Sequence, residues 1–145
     1  MARLLIVDDE RDIRRLYSLV LSEEGYEVDT AASALEAEQK LKGNNYDLVL
    51  LDIMLKNENG LDLLKNILRD RHDLPVVLCS AFSCYKHDFT SWLAHGYVVK
   101  SSDSQELVDE VARVLEKNNR YRRQGYDNIS HTPRTQCASW RHGVH

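Results

Sequence analysis

No apolar run in the sequence approaches the roughly 20 residues that a membrane-spanning helix needs, and no basic-then-apolar leader opens it. Neither membrane insertion nor export is therefore expected, and a cytoplasmic location follows. Cysteine is scarce. Its three residues form an odd set without framework spacing, and Cys79 sits inside an apolar run, which suits free thiols in a reducing compartment. A phosphate-cradling loop is also missing after the first apolar run, where the chain turns acidic instead and would repel a flavin or nucleotide phosphate. What is there, 43% hydrophobic and 29% charged residues in a chain of 145, suits one globular domain with a sizeable core and an appendage.

Charge is unevenly spread. Through Asn118, 22 acidic side chains stand against 14 basic ones, a balance of −8, whereas Asn119 to His145 carry five arginines and one aspartate, a balance of +4. That last stretch has Gly, Pro, Asn and Ser punctuation and no sustained apolar period. The expected division is a domain over residues 1–118 and a basic, disordered tail over 119–145. In the tail, His131, Cys137, His142 and His145 match no standard zinc-finger spacing. The basic "RYRRQ" from Arg120 lies in a segment too short to house a DNA-binding domain with its own core. No sequence-specific nucleic-acid partner is expected.

The first 118 residues alternate in type. Leu4 to Val7, Leu48 to Leu51, Val76 to Cys79 and Tyr97 to Val99 read as buried strands, and "YEVDTA" from Tyr26 as an edge strand. Between them lie helical patterns. Ile13, Leu16, Tyr17, Val20 and Leu21 follow the spacing of one helix face, with Gly25 as a stop. "SALE" at Ser33 and "DSQE" at Asp103 are helix starts, each with a capping side chain three residues ahead of a Glu. Leu61, Leu64, Ile67 and Leu68 make a third face; Leu107, Val108, Val111 and Leu115 make the last. A further helix is expected between Ser83 and Ala94, in a segment crowded with Phe82, Tyr85, Phe89 and Trp92.

Five strands alternating with five helices predict an α/β fold with a doubly wound, five-stranded parallel sheet. Such sheets carry their sites at the carboxyl ends of the strands. Asp8 and Asp9 end the first strand, Asp52 ends "DLVLLD", Ser80 ends "PVVLCS", and Lys100 ends "GYVVK". Any one of these would be an ordinary strand-end group. Converging on one edge, they are three carboxylates, a hydroxyl and an ammonium. At about 4 Å in an effective dielectric near 20, two carboxylates repel by about 4 kcal/mol, so a cation is expected among them. Oxygen donors suit Mg²⁺. A metal, a hydroxyl and an ammonium are also the parts that neutralise a phosphoryl group in transfer, which leaves Asp52 as the nucleophile.

"LLIVDDE", "DLVLLDIML" followed by "NG", "PVVLCSA" and "GYVVK", in this order, resemble the receiver domain of two-component response regulators, over Met1 to about Lys117. The resemblance implies a flavodoxin-like topology and a signalling domain that catalyses only phosphotransfer onto its own Asp52 and the slow hydrolysis that follows. It implies Asp52 as the phosphorylation site, with a sensor histidine kinase or phosphotransfer protein as donor and a protein effector downstream. It further implies Mg²⁺ ligation by Asp9, Asp52 and the backbone carbonyl of Met54, with Asp8 acting through water. Ser80 and Lys100 would contact the phosphoryl oxygens. Ser80 and Tyr97 would form the switch, read out on a face of the fourth helix, fifth strand and fifth helix.

Two positions depart from the pattern. Ser101 follows Lys100 where receivers usually carry a proline, and Lys56 stands where a proline commonly follows the phosphoacceptor loop. The first departure motivates an alternative, a degenerate receiver acting as a phosphorylation-independent interaction module. A phosphohydrolase of the haloacid dehalogenase type would need a DxD nucleophile motif after the first strand, which "VDDERD" does not supply.

Overall fold

The structure is a computed structural model that describes residues 2–56, 58–71, 73–81, 94–100 and 103–131, with the backbone alone for 58 and 121–131. Its strands are β1 Arg3–Val7, β2 Glu27–Ala31, β3 Leu48–Asp52, β4 Met54–Leu55, β5 Glu58–Asn59, β6 Val76–Ser80 and β7 Gly96–Val99. Its helices are α1 Arg11–Glu23, α2 Ala34–Gly43, α3 Gly60–Asp70 and α4 Ser104–His131. The helix expected between Ser83 and Ala94, with Phe82, Tyr85, Phe89 and Trp92, lies outside the described residues.

Five strands form a parallel sheet in the order β2-β1-β3-β6-β7. Side chains alternate across each strand, so a run that is apolar throughout must be covered on both faces. Leu5, Val7, Val49, Leu51, Val76 and Leu78 enter one core with Ala37 and Leu41 of α2 and Leu63, Leu64 and Ile67 of α3. Leu4, Ile6, Leu48, Leu50, Val77 and Cys79 enter the other with Tyr17 and Leu21 of α1 and Leu107, Val111 and Val114 of α4. Burying each such aliphatic side chain contributes about 1.5–3 kcal/mol, which pins the strand registers that align the polar strand ends.

Both helix-start signals operate. The Glu36 N–H donates to Ser33 Oγ at 3.1 Å and the Ala32 N–H to Glu36 Oε1 at 2.9 Å. The Glu106 N–H donates to Asp103 Oδ1 at 3.0 Å. Gly25, at φ +96°, takes the left-handed conformation that ends α1. The β4–β5 hairpin leaves no mark in the sequence, because strands of two residues carry no readable period. Helix α4 runs through residue 118 to His131, whereas the composition suggested an irregular tail from 119; the buried side chains described on α4 end at Leu115.

Charged side chains from the helices meet both edges of the sheet. The Tyr97 N–H of edge strand β7 donates to Glu110 Oε2 at 3.1 Å, and Arg113 Nη2 donates to the His95 carbonyl at 3.2 Å. On the other edge strand, β2, Lys40 Nζ donates to the Thr30 carbonyl.

Candidate functional site

The residues that end β1, β3, β6 and β7 meet at one edge of the sheet. Asp8 follows β1, and its Oδ1 accepts the Glu10 N–H at 2.8 Å, a turn that lets α1 begin at Arg11. The Asp8 carbonyl accepts from Arg14 Nη1 at 2.7 Å. Asp52 closes β3, pairing with Cys79, and its Oδ1 accepts the Met54 N–H at 3.1 Å. The β4–β5 turn leans over Asp9, whose Oδ2 accepts the Lys56 N–H at 3.0 Å.

Gly60 makes that turn possible. A Cβ on it would lie 2.0 Å from the Asp52 carbonyl oxygen, and its N–H donates to the Ile53 carbonyl at 2.8 Å. Only glycine allows α3 to start so close beneath Asp52.

One carboxylate oxygen from each of Asp8, Asp9 and Asp52 lies within 4.8 Å of the other two. Asp8 and Asp52 are almost wholly buried, at 2% and 3% exposure. Lys100, just beyond β7, is held by its N–H on the Ser80 carbonyl at 2.7 Å. Its Nζ stands 2.8 Å from Asp8 Oδ2, 3.1 Å from Asp52 Oδ2 and 3.2 Å from Glu10 Oε1. The missing proline after Lys100 thus does not prevent its reach; Ser101 itself lies outside the described residues.

The electrostatics follow from this crowding. Burial first, and the Asp8 charge second, push the Asp52 carboxyl up to about 6, against the opposing pull of Lys100. For Lys100, burial would lower the ammonium's pKa, but the Asp8 hydrogen bond and the charges of Asp52 and Asp8 raise it above its ordinary value. Three carboxylates, Asp8, Asp52 and Glu10, contact the Lys100 ammonium, and Asp9 stands beside Asp8 and Asp52, so negative charge is in excess. Oxygen donors alone, at least two of them charged, with space between them for an ion, fit a hard divalent cation that keeps some of its waters.

Ser80 is fully buried at the end of β6, paired with Val99. Tyr97 is partly buried against the core that α2 and α3 cover. Met54 belongs to β4 and its side chain is exposed. Asp8, Asp9, Asp52, Met54, Ser80, Tyr97 and Lys100 are therefore at or near this edge, whereas Cys137, His142 and His145 of the tail lie outside the described residues. Two that the sequence reading passed over stand with them. Glu10 is the third partner of Lys100, and Tyr17 lies beneath the site. Burial first, then Cys79, raises the Tyr17 phenol, with Lys100, Asp8 and Asp52 all acting on it. Adjacency in "VDDE" was the one signal for Glu10; Tyr17 read simply as a helix-face residue. A cleft lined by Leu41, Tyr46, Asp47, Arg71 and Leu74 lies at the opposite, amino end of the strands, away from the carboxylates.

Comparison with known proteins points the same way. The profile of the response regulator receiver domain matches residues 4–112. Response regulator ArlR of Staphylococcus saprophyticus is 35% identical over 120 residues, 81% of this chain and 54% of its own length. The chain thus spans about half the length of the curated relatives it matches. Among solved structures, response regulator TrrA of Thermotoga maritima in complex with Mg²⁺-BeF superposes with a TM-score of 0.75 at 44% identity, covering 79% of this chain and 99% of TrrA. TrrA bound to the histidine kinase ThkA gives a TM-score of 0.74 at the same identity and coverage.

Proposed function

The chain belongs to the response regulator receiver domain family, and from that membership we propose that Asp52 accepts a phosphoryl group from the phosphohistidine of a sensor kinase or phosphotransfer protein, with Mg²⁺ bound. A carboxylate oxygen of Asp52 forms the new bond to phosphorus as the bond from phosphorus to the donor imidazole nitrogen breaks. The products are an acyl phosphate on Asp52 and a neutral imidazole, whose leaving nitrogen keeps the electron pair while the other ring nitrogen carries the proton. With its carboxyl at about 6, Asp52 is ionised at neutral pH, as a nucleophile must be.

The observation that carries this reading is the convergence of three carboxylate oxygens within 4.8 Å of one another, beside an ammonium that already spans two of those residues. Asp8, Asp9, Asp52 and the Met54 carbonyl would hold Mg²⁺, which supplies neutralisation of the phosphoryl oxygens. Lys100 and the Ser80 hydroxyl would take the remaining phosphoryl oxygens, with Lys100 leaving its carboxylates to do so. Hydrolysis of the acyl phosphate then resets the domain, and no other chemistry is assigned to it.

Exposed Leu16 and Leu19 of α1 stand on the helix that starts beside Asp8 and offer a donor protein an apolar foothold next to the acceptor. The encounter with a kinase assigns the chain to the cytoplasm. The domain comprises residues 1–118, and the basic stretch from 119 is an appendage outside its core. Output passes to a protein effector through the face that β7 and α4 present, rather than by sequence-specific nucleic-acid binding. The reach of Lys100 favours this reading over an interaction module without chemistry.

Intact mass after incubation with a small phosphodonor, with Mg²⁺ or with chelator, tests the transfer. Equal labelling under both conditions would overturn it. For the switch, Ser80→Ala is expected to leave Asp52 as the modified residue while removing the change in amide exchange at Gly96–Val99 that beryllofluoride produces in the wild type. A change that survives Ser80→Ala would remove Ser80 from the switch.

A further inference from the structure

Lys100 makes three ion pairs, and they are not equivalent. Two are with Asp8 and Asp52, buried members of the carboxylate group that suits a divalent cation. An ammonium and a metal ion compete for those oxygens. The third partner, Glu10, is outside that group, and its side chain is 62% exposed. Glu10 is nonetheless fixed in place. Its N–H is bonded to Asp8 Oδ1 at 2.8 Å and its carbonyl accepts the Arg14 N–H at 3.1 Å. The backbone that carries Glu10 is thereby tied to Asp8 itself.

The geometry points to Glu10 as a positioning residue that holds the Lys100 ammonium at the mouth of the site when a divalent cation takes Asp8 and Asp52. This rests on the metal-dependent reading given above and extends it to how the cation enters. Without Glu10, Lys100 would have to be expelled into solvent or stay on the metal's ligands; with it, the ammonium changes partners while remaining within reach of the phosphoryl position. Among the described residues, Arg14, Asp9 and Lys56 are other charged residues beside this junction. Of these, Arg14 and Lys56 are cations, and Asp9, whose Oδ2 accepts the Lys56 N–H, belongs to the carboxylate group that the divalent cation takes, so none of them replaces Glu10 as an anion for Lys100.

A double-mutant cycle on the full chain tests this by calorimetric titration with Mg²⁺ of wild type, Glu10→Gln, Lys100→Ala and the double variant. Glu10→Gln is expected to weaken Mg²⁺ binding about two- to fivefold, the range a partly exposed ion pair is worth. In the Lys100→Ala background the same change should have almost no effect. An equal weakening in both backgrounds would mean that Glu10 acts on the metal directly through its charge, and no weakening in either would mean that it does nothing; both results overturn the proposal. Should Lys100→Ala fail to fold, the Nζ resonance of Lys100 in isotope-labelled Glu10→Gln protein decides. In saturating Mg²⁺ it should stay protected from solvent exchange in the wild type and lose protection in the variant, and equal protection would overturn the proposal. Failure of the wild type to bind Mg²⁺ at all would instead overturn the underlying reading, and this inference with it.

Discussion

The two ends of the parallel sheet each carry a cluster of charged side chains, and they handle charge at the rim of a core in opposite ways. At the amino end, Arg3 Nη2 lies 2.9 Å from Asp29 Oδ2, and the Tyr46 hydroxyl donates to that same oxygen at 2.7 Å. The Arg3 guanidinium also sits 5.2 Å from the centre of the Tyr46 ring, and the Arg3 N–H donates to Asp47 Oδ2 at 2.8 Å. With Lys40 also acting on Asp29, two cations stand there against the carboxylates of Asp29 and Asp47. The Tyr46 bond, with help from Arg3, holds the Asp29 carboxyl below its ordinary range despite burial, while burial and Asp29 push the Tyr46 phenol up to about 12.

At the carboxyl end the shift has the opposite sign. Asp52 is pushed up to about 6 by burial and by Asp8 even though Lys100 touches it. The amino end is half-open to solvent and satisfied; the carboxyl end is nearly dry and carries surplus negative charge. A self-compensated cluster holds a fold together. An uncompensated one held in place by the fold waits for a ligand of opposite charge.

The largest expected effect separates the ends by function. Asp52→Asn should abolish the mass gained from a phosphodonor in Mg²⁺, whereas Asp29→Asn should leave the labelling as in the wild type. Loss of labelling in both variants would erase the distinction.

Next comes stability against pH. Because its carboxyl titrates near 6 when folded and near 3.9 in an unfolded chain, Asp52 binds its proton more tightly in the native state. Without metal, its contribution to stability should therefore be most favourable below about pH 4 and decline as pH rises to about 6, by on the order of 3 kcal/mol. Asp29, with its lowered value, should do the reverse, adding stability above the ordinary carboxylate range and losing it as pH falls. Urea unfolding in chelator measures this. Asp52→Asn should be more stable than the wild type at pH 7 and similar to it at pH 4, with saturating Mg²⁺ closing the gap at pH 7. An Asp52→Asn protein less stable than the wild type at pH 7 would mean that the carboxyl end is compensated after all.

How much of this contrast the sequence disclosed depended on geometry. Asp8, Asp52, Ser80 and Lys100 were legible because apolar runs mark parallel strands, and strands in one sheet bring their ends together. The amino-end cluster left no such mark. Asp29 looks like any outward residue of an alternating edge strand, and its bond to Tyr46 spans α2, a distance no local period records. The Glu10–Lys100 pair joins residues 90 positions apart through two long side chains whose meeting depends on rotamers. Helix α4 was recognised by its buried face through Leu115, but beyond that point composition alone gave no period to follow.

Two smaller effects sharpen the comparison. Arg3→Gln should cost about 0.5–1.5 kcal/mol in urea unfolding, since it leaves Tyr46 still bonded to Asp29, and should leave Mg²⁺ affinity alone. A change in Mg²⁺ affinity would couple the two ends. Smallest of all, truncation after Asn118 should shift the melting temperature by less than about 4 °C, or about 1 kcal/mol for a domain of this size, because the described buried contacts of α4 end at Leu115. A larger drop would show that the helix beyond residue 118 is docked.

The helix side chains that meet the sheet margins bear on how this chain behaves in a crowd. An open margin offers unpaired backbone groups to any extended segment that drifts past, and is the usual starting point for one molecule adding itself to the next. Glu110 occupies the Tyr97 N–H and Arg113 the His95 carbonyl on one margin, and Lys40 occupies the Thr30 carbonyl on the other. A strand arriving at either side must first evict a charged side chain from its place. The sheet is thus guarded against polymerisation by its own helices, and an engineer who neutralised Glu110 and Lys40 together would be removing the guards.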